Sequence, residues 1–271
     1  MSQSRSILSL ATIDVEEVFL DGQFSYGRVW LNRPLVLNAL NNAILQDIVE
    51  AFTFLQTQYH LKAVILGGRG KAFSSGADLK AFPSAGMLPP ARVLGRDVSG
   101  RERRYAAQLG RRAIAAIEGL EAITIARVQG YAAGGGFGLM QACDLRVCCR
   151  DAKLWLPEVD IKVPLTWGLT ARLIRDVGRA KAMELITLCD DLSPEVALQL
   201  GLINILADSE TELEAIVVDW AARLAKKSST ALHLVKTQFK SLDRKDDMGE
   251  STAFDNDWLL YRAMLDERSK L

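Results

Sequence analysis

Three consecutive glycines, Gly134, Gly135 and Gly136, stand at the front of an apolar run in VQGYAAGGGFGLMQACDLR (128–146), and a fourth follows at Gly138. Glycine lowers helix stability by roughly 1 kcal/mol per residue against alanine. Glycines at the start of a helix can serve a tight turn between packed elements, or leave backbone N–H groups open to close approach by a ligand. No Ser, Thr, Asp or Asn occupies 134–136 to cap the free donors of the first helical turn. An anion or a carbonyl oxygen could take that place. Helix packed tightly on sheet would also need small residues, so both readings stand on this segment alone.

A second glycine-bearing stretch, LGGRGKAFSSGADLKAF, follows the apolar KAVIL. It is not a phosphate-binding P-loop, because Gly70–Lys71 has no glycine five residues earlier and no Ser or Thr after the lysine. The 134–138 glycines fail the dinucleotide spacing as well, since Leu139 takes the last glycine position. Cysteine chemistry is thin. Cys148 and Cys149 are neighbours in an expected strand and should point to opposite faces. With Cys143, Cys189 and only His60 and His233, the chain suits reduced, buried packing cysteines rather than a metal set.

The elements that must position these segments alternate. TIDVEEVFL and YGRVWLN read as strands joined by a hairpin loop, DGQFS. NALNNAILQDIVEAFTFLQTQYH follows, with Ile44, Ile48, Phe52, Leu55 and Tyr59 on one helical face. KAVILGG, AITIARVQG and DLRVCCR read as further strands, separated by helices. That alternation predicts an α/β fold with a largely buried parallel sheet. Between the units, a Pro-, Gly- and Ser-rich loop from about Phe82 leads into a helix over RERRYAAQLGRRAIAAIEGLEA. Its Arg101, Arg103, Arg104, Arg111 and Arg112 are interrupted by Glu102 and Glu118, as on a solvated face.

After about Asp208 the pattern changes to three helices without a strand, which divides the chain into a core over 1–207 and a helical region over 208–271. Trp220, Leu224, Trp258, Leu259 and Met264 exceed what those helices need for their own packing and are expected between subunits. The 33 basic residues equal the 33 acidic ones, so charge gives no reason to expect nucleic acid or an anionic membrane as partner. No segment reads as a secretory signal or a membrane span, and a cytoplasmic protein is the expectation.

LNRPLVLNALNN, GKAFSSGADLKAF, ARVQGYAAGGGFGLMQACDLRV, AKLWLPEVDI and GRAKAMELITLCDDLSPEVALQLGLIN, in this order, resemble the crotonase superfamily of enoyl-CoA hydratases and isomerases. The resemblance runs from about Trp30 to Asn204. It implies a crotonase-like spiral of strand–strand–helix units, a C-terminal helical trimerisation region, and acyl-CoA substrates. The family's two oxyanion-hole donors are backbone N–H groups, which carry over to Ala77 and Gly135. On this reading the glycines let a thioester oxygen reach the backbone.

The family's hydratases position water with two glutamates. One matches Glu158; the other falls at Gly138, which has no carboxylate. Double-bond isomerases of the family keep the Glu158-type base alone, so the resemblance favours 3-enoyl to 2-enoyl isomerisation over hydration. A non-catalytic CoA-binding scaffold is the rival from another class. A base at Glu158 needs a raised pKa, which Trp155, Leu156 and Trp167 could supply. Dienoyl-CoA isomerases and the chlorobenzoyl-CoA dehalogenase place an aspartate where this chain has Thr166. Substrate-binding positions implied by the same motifs are Ser75, Asp78, Leu79, Lys80, Gly134, Gly138 and Trp167, with Lys80 near the CoA phosphates. Leu35 replaces a basic residue frequent after NRP, and Leu169 takes the second place of the family's double glycine at 165–169. No cofactor is implied, because coenzyme A is part of the substrate. The implied assembly is a homotrimer or a dimer of trimers.

Overall fold

A computed structural model describes residues 3–20, 24–79, 92–93, 96–97 and 99–246. Its strands are β1 (Gln3–Ser9), β2 (Ile13–Phe19), β3 (Ser25–Leu31), β4 (Ala63–Gly68), β5 (Arg92–Val93), β6 (Arg96–Asp97), β7 (Ile123–Val128), β8 (Tyr131–Ala133), β9 (Leu145–Cys149), β10 (Lys153–Trp155) and β11 (Ile205–Ala207). Its helices are α1 (Asn42–Leu55), α2 (Gly100–Ala107), α3 (Leu109–Gly119), α4 (Gly135–Gln141), α5 (Leu169–Val177), α6 (Arg179–Leu188), α7 (Pro194–Gln199), α8 (Glu210–Ala225) and α9 (Ser229–Asp246). The main sheet has seven strands in the order β1-β2-β3-β4-β7-β9-β11. Pairing is antiparallel from β1 to β3 and parallel from β3 onward.

The sequence explains this split. β2 alternates buried and partly exposed residues along its first half, as a one-sided antiparallel strand does. Every residue of β4, AVILGG, is buried. Such a strand is covered on both faces, as parallel strands between helices are. α1 and α3 pack on each other. α8 lies across β3, β4, β7, β9 and β11.

Each later unit sends its second extended segment to a smaller layer. β8 and β10 pair there in parallel, and single bridges extend the layer through Ser74–Ala132 and Leu154–Leu192. Strand in the large sheet, strand in the small one, then helix: this step recurs as β7-β8-α4 and β9-β10-α5. It is the strand–strand–helix spiral expected from the sequence, and it lays residues 73–77 beside β8 and the opening of α4.

Several local expectations change. β1 adds a strand ahead of the expected TIDVEEVFL strand; it pairs with β2 through a register shift between Ser6 and Leu8. α1 is capped by the Asn41 side chain, which accepts from Ile44 N, and it ends at Leu55, so Tyr59 leaves the apolar face and is exposed. One helix expected after Arg101 is two, α2 and α3, meeting at Gln108. Short strands β5 and β6 interrupt the expected loop; the remainder of that loop, and Lys80, lie outside the described residues. Trp220 and Leu224 are half-buried and pack against the chain's own core. Trp258, Leu259 and Met264 lie outside the described residues. No described helix is long and apolar enough to cross a membrane.

All four cysteines are free and buried. Burial pushes the Cys143 thiol up to about 12 and the Cys149 thiol to about 11, so these are packing groups and not nucleophiles. Among the described residues no cluster of His, Cys, Asp and Glu could hold a metal.

Candidate active site

Backbone pairing brings the two glycine stretches together. Phe73 N donates to Gln129 O (2.8 Å), Ser74 N to Tyr131 O (2.8 Å), and Ala133 N to Ser74 O (3.1 Å). The buried Ser74 hydroxyl donates to Asn38 O (2.9 Å) and accepts from Gly76 N (3.3 Å). Leu40 N donates to Gly76 O (2.7 Å) and Asp78 N to Leu40 O (3.0 Å). Between those bonds, Ala77 N has no acceptor among the described residues outside helices and strands. Gly135 N, at the first position of α4, likewise has none; Gly134 N is used, donating to Trp155 O at 2.8 Å.

The four glycines turn out to have different reasons, each visible in what a Cβ would meet. At Gly134, φ is 49° and ψ −117°, a conformation open to glycine. A Cβ there would lie 2.5 Å from Glu158 Oε1. At Gly135 it would lie 2.5 Å from Trp167 Cζ3 and 3.1 Å from Leu40 Cδ1. At Gly136 it would lie 2.6 Å from Ser74 O, so this glycine serves the close packing of the two stretches. Gly76, at φ +82°, serves the same contact from the other side, 2.5 Å from Ala133 O. At Gly138 a Cβ would lie 2.7 Å from Leu169 Cδ1, with Cδ2 and Cγ at 3.0 and 3.2 Å. The space beside 138, where the family's hydratases carry a second glutamate, is therefore filled by a leucine.

Glu158 follows β10 in a turn held by Val163 N donating to Glu158 O at 2.8 Å. Burial raises its carboxyl to about 7, opposed by a hydrogen bond from its own backbone amide. Glu158 Oε2 is buried and has no hydrogen-bond partner. A carboxylate in that setting keeps a proton near neutral pH and gives it up without an ion pair to break. Asp160, two residues on, is exposed and does not share this environment.

Trp167 is buried, with its backbone at φ 61°. In that left-handed region a bulky residue costs roughly 1–2 kcal/mol. Arg172 Nη1 donates to Trp167 O at 2.9 Å, and the same guanidinium holds Glu118 of α3 through Nε and, at 2.7 Å, Nη2. Of the other expected contact positions, Asp78 pairs with Arg33 at 3.0 Å, Ser75 N donates to Leu37 O, and Leu79 is exposed. Sequence reasoning singled out Leu169 but missed Gly110 and Arg172. Their signals were present: a glycine inside a helical pattern, and an arginine five residues past the tryptophan.

A desolvated carboxylate set against backbone stripped of side chains, on an α/β spiral, is the make-up of an enzyme site. The family model for enoyl-CoA hydratase/isomerase matches residues 23–269, and the chain belongs to that family. It is 35% identical over 195 residues to a probable enoyl-CoA hydratase of Bacillus subtilis, covering 72% of this chain and 71% of the relative. It is 34% identical over 209 residues to the peroxisomal Delta(3,5)-Delta(2,4)-dienoyl-CoA isomerase of Arabidopsis thaliana, covering 74% and 72%. Its fold is similar to that of an enoyl-CoA hydratase from Mycobacterium avium subsp. paratuberculosis, with a TM-score of 0.77 and 26% identity over 96% of this chain and 95% of that one.

Proposed function

We propose that this enzyme moves the double bond of an enoyl-CoA thioester from the 3 to the 2 position with a single carboxylate, Glu158. The carrying observation is the pairing of Gly138 with Leu169: the place of a second, water-holding carboxylate is empty of acid and packed with a leucine side chain. Glu158 takes a C2 proton, and the dienolate oxygen rests on the Ala77 and Gly135 N–H groups. Losing one such donor typically costs about 3–4 kcal/mol of transition-state stabilisation. The same carboxyl then returns the proton at C4, so no water enters the chemistry and no net proton is consumed. A carboxyl near pKa 7 suits both halves of that exchange. Coenzyme A arrives as part of the substrate, and no further cofactor is required by these steps.

Hydration of a 2-enoyl thioester is the second reading, favoured by the hydratase name of the Bacillus subtilis relative. A panel of 2-enoyl- and 3-enoyl-CoA thioesters separates the two. Rapid conversion of the 3-enoyl substrates with slow or absent hydration of the 2-enoyl ones supports isomerisation, and rapid wild-type hydration overturns it.

We further infer a core over 1–207 with a helical region over 208–271 that assembles as a homotrimer or dimer of trimers. Leu234, Val235 and Phe239 of α9 are exposed and apolar, which suits a covered surface. Four free thiols support a cytoplasmic setting.

A further inference from the structure

Trp167 and Gly110 each go against local preference, and one contact accounts for both. Trp167 holds a left-handed backbone, φ 61°, beside a second left-handed residue, Gly168 at φ 75°. Gly110 lies in the first turn of α3, where glycine is a poor helix former. A Cβ on Gly110 would collide with Cε2, Nε1 and Cζ2 of the Trp167 indole. At the other end of the ring, Cζ3 and Cη2 stand 2.5 and 2.8 Å from the place of a Cβ on Gly135. The indole therefore spans the gap between the opening turns of α3 and α4, and only 6% of Trp167 is exposed. The Arg172 bridge ties the carbonyl of Trp167 to Glu118, on the same helix that the ring packs against.

We infer that Trp167 sets the acyl length: its indole closes the site beside Gly135, so that the enzyme takes short-chain acyl thioesters and excludes long-chain ones. This rests on reading Gly135 N–H as a contact of the thioester oxygen. Acyl carbons leaving that oxygen are confined by Glu158 on the Gly134 side and by the indole on the Gly135 side. Without the ring, a slot opens between Gly110 and Gly135, walled by backbone that carries no side chains at those two positions. A polymethylene chain fits such a slot. The indole is wedged at both ends, so a substrate cannot displace it by a small rotation.

Calorimetric titration with butyryl-CoA and decanoyl-CoA tests this without turnover, so the result does not depend on whether the enzyme isomerises or hydrates. The wild type should bind butyryl-CoA at least about tenfold more tightly than decanoyl-CoA. W167G, which also suits the left-handed backbone, should shift that ratio toward decanoyl-CoA by about tenfold or more. W167F keeps an aromatic ring in the slot and should shift it the same way by less. Equal or tighter binding of decanoyl-CoA by the wild type overturns the inference, as does an unchanged ratio in either folded variant. Failure of both thioesters to bind the wild type would instead overturn the acyl-thioester reading, and the length inference with it.

Discussion

Glu158 Oε1 lies 2.5 Å from the point at which a side chain on Gly134 would begin. The carboxylate occupies the room that a missing Cβ leaves at the mouth of α4, and its second oxygen is buried with no partner. Base and glycine-rich turn are therefore one unit. Replacing Gly134 with alanine forces a side chain into a φ 49°, ψ −117° backbone and onto the carboxylate. G134A should lose about 1–3 kcal/mol of stability and most of its turnover together. Thermal melting and steady-state kinetics on the same preparation check this; a stable, fully active G134A would separate the two residues.

E158Q keeps size and hydrogen bonding but cannot accept a proton. Turnover should fall about 10²–10⁴-fold while affinity for a saturated acyl-CoA survives. Normal turnover in this variant would remove Glu158 from the mechanism.

The pH dependence follows from the raised carboxyl. The free enzyme must present Glu158 ionised, so kcat/KM should rise with pH through about 7 and level off above it. Stability runs the opposite way. The folded state holds this proton up to about 7, whereas an unfolded glutamate releases it near 4.5. Between those values the native state binds more protons, and its stability falls as pH rises. E158Q should therefore gain about 1–3 kcal/mol over the wild type at pH 8, and little at pH 4. Denaturant melts at both pH values test the sign.

Gly138 cannot simply be given the carboxylate it lacks. G138E drives its new side chain into Leu169, an overpacking that typically costs about 1–3 kcal/mol, and should not hydrate a 2-enoyl-CoA. L169A clears the space. The double variant G138E/L169A should gain hydration that neither single variant shows, measured as loss of the conjugated-thioester absorbance. Hydration by G138E alone would mean that Leu169 yields.

The exposed apolar residues of α9 give an assembly prediction. F239D places a charge one helical turn from Val235, among the exposed apolar residues of α9. Sedimentation should show trimers or hexamers for the wild type and smaller species for F239D, with the melting temperature of the core little changed. A monomeric wild type at micromolar concentration would exclude the assembly.

By itself the sequence determined the α/β alternation, the buried parallel strands and the family. Those rest on local periodicity and on ordered motifs, which a linear chain carries directly. It also marked 134–138 as a place where side chains are excluded, while leaving the cause divided between ligand approach and packing. Only the tertiary structure assigned the causes: Glu158 at Gly134, Trp167 at Gly135, Ser74 at Gly136 and Leu169 at Gly138. Each of these is a contact between segments distant in the chain, or a backbone handedness such as that of Trp167, and neither leaves a periodic trace. The early end of α1 and the break at Gln108 were decided by the same kind of term, since helix ends depend on caps and neighbours more than on the apolar pattern. A missing side chain shows in a sequence as a glycine; what fills its place is settled only when the chain has folded around it.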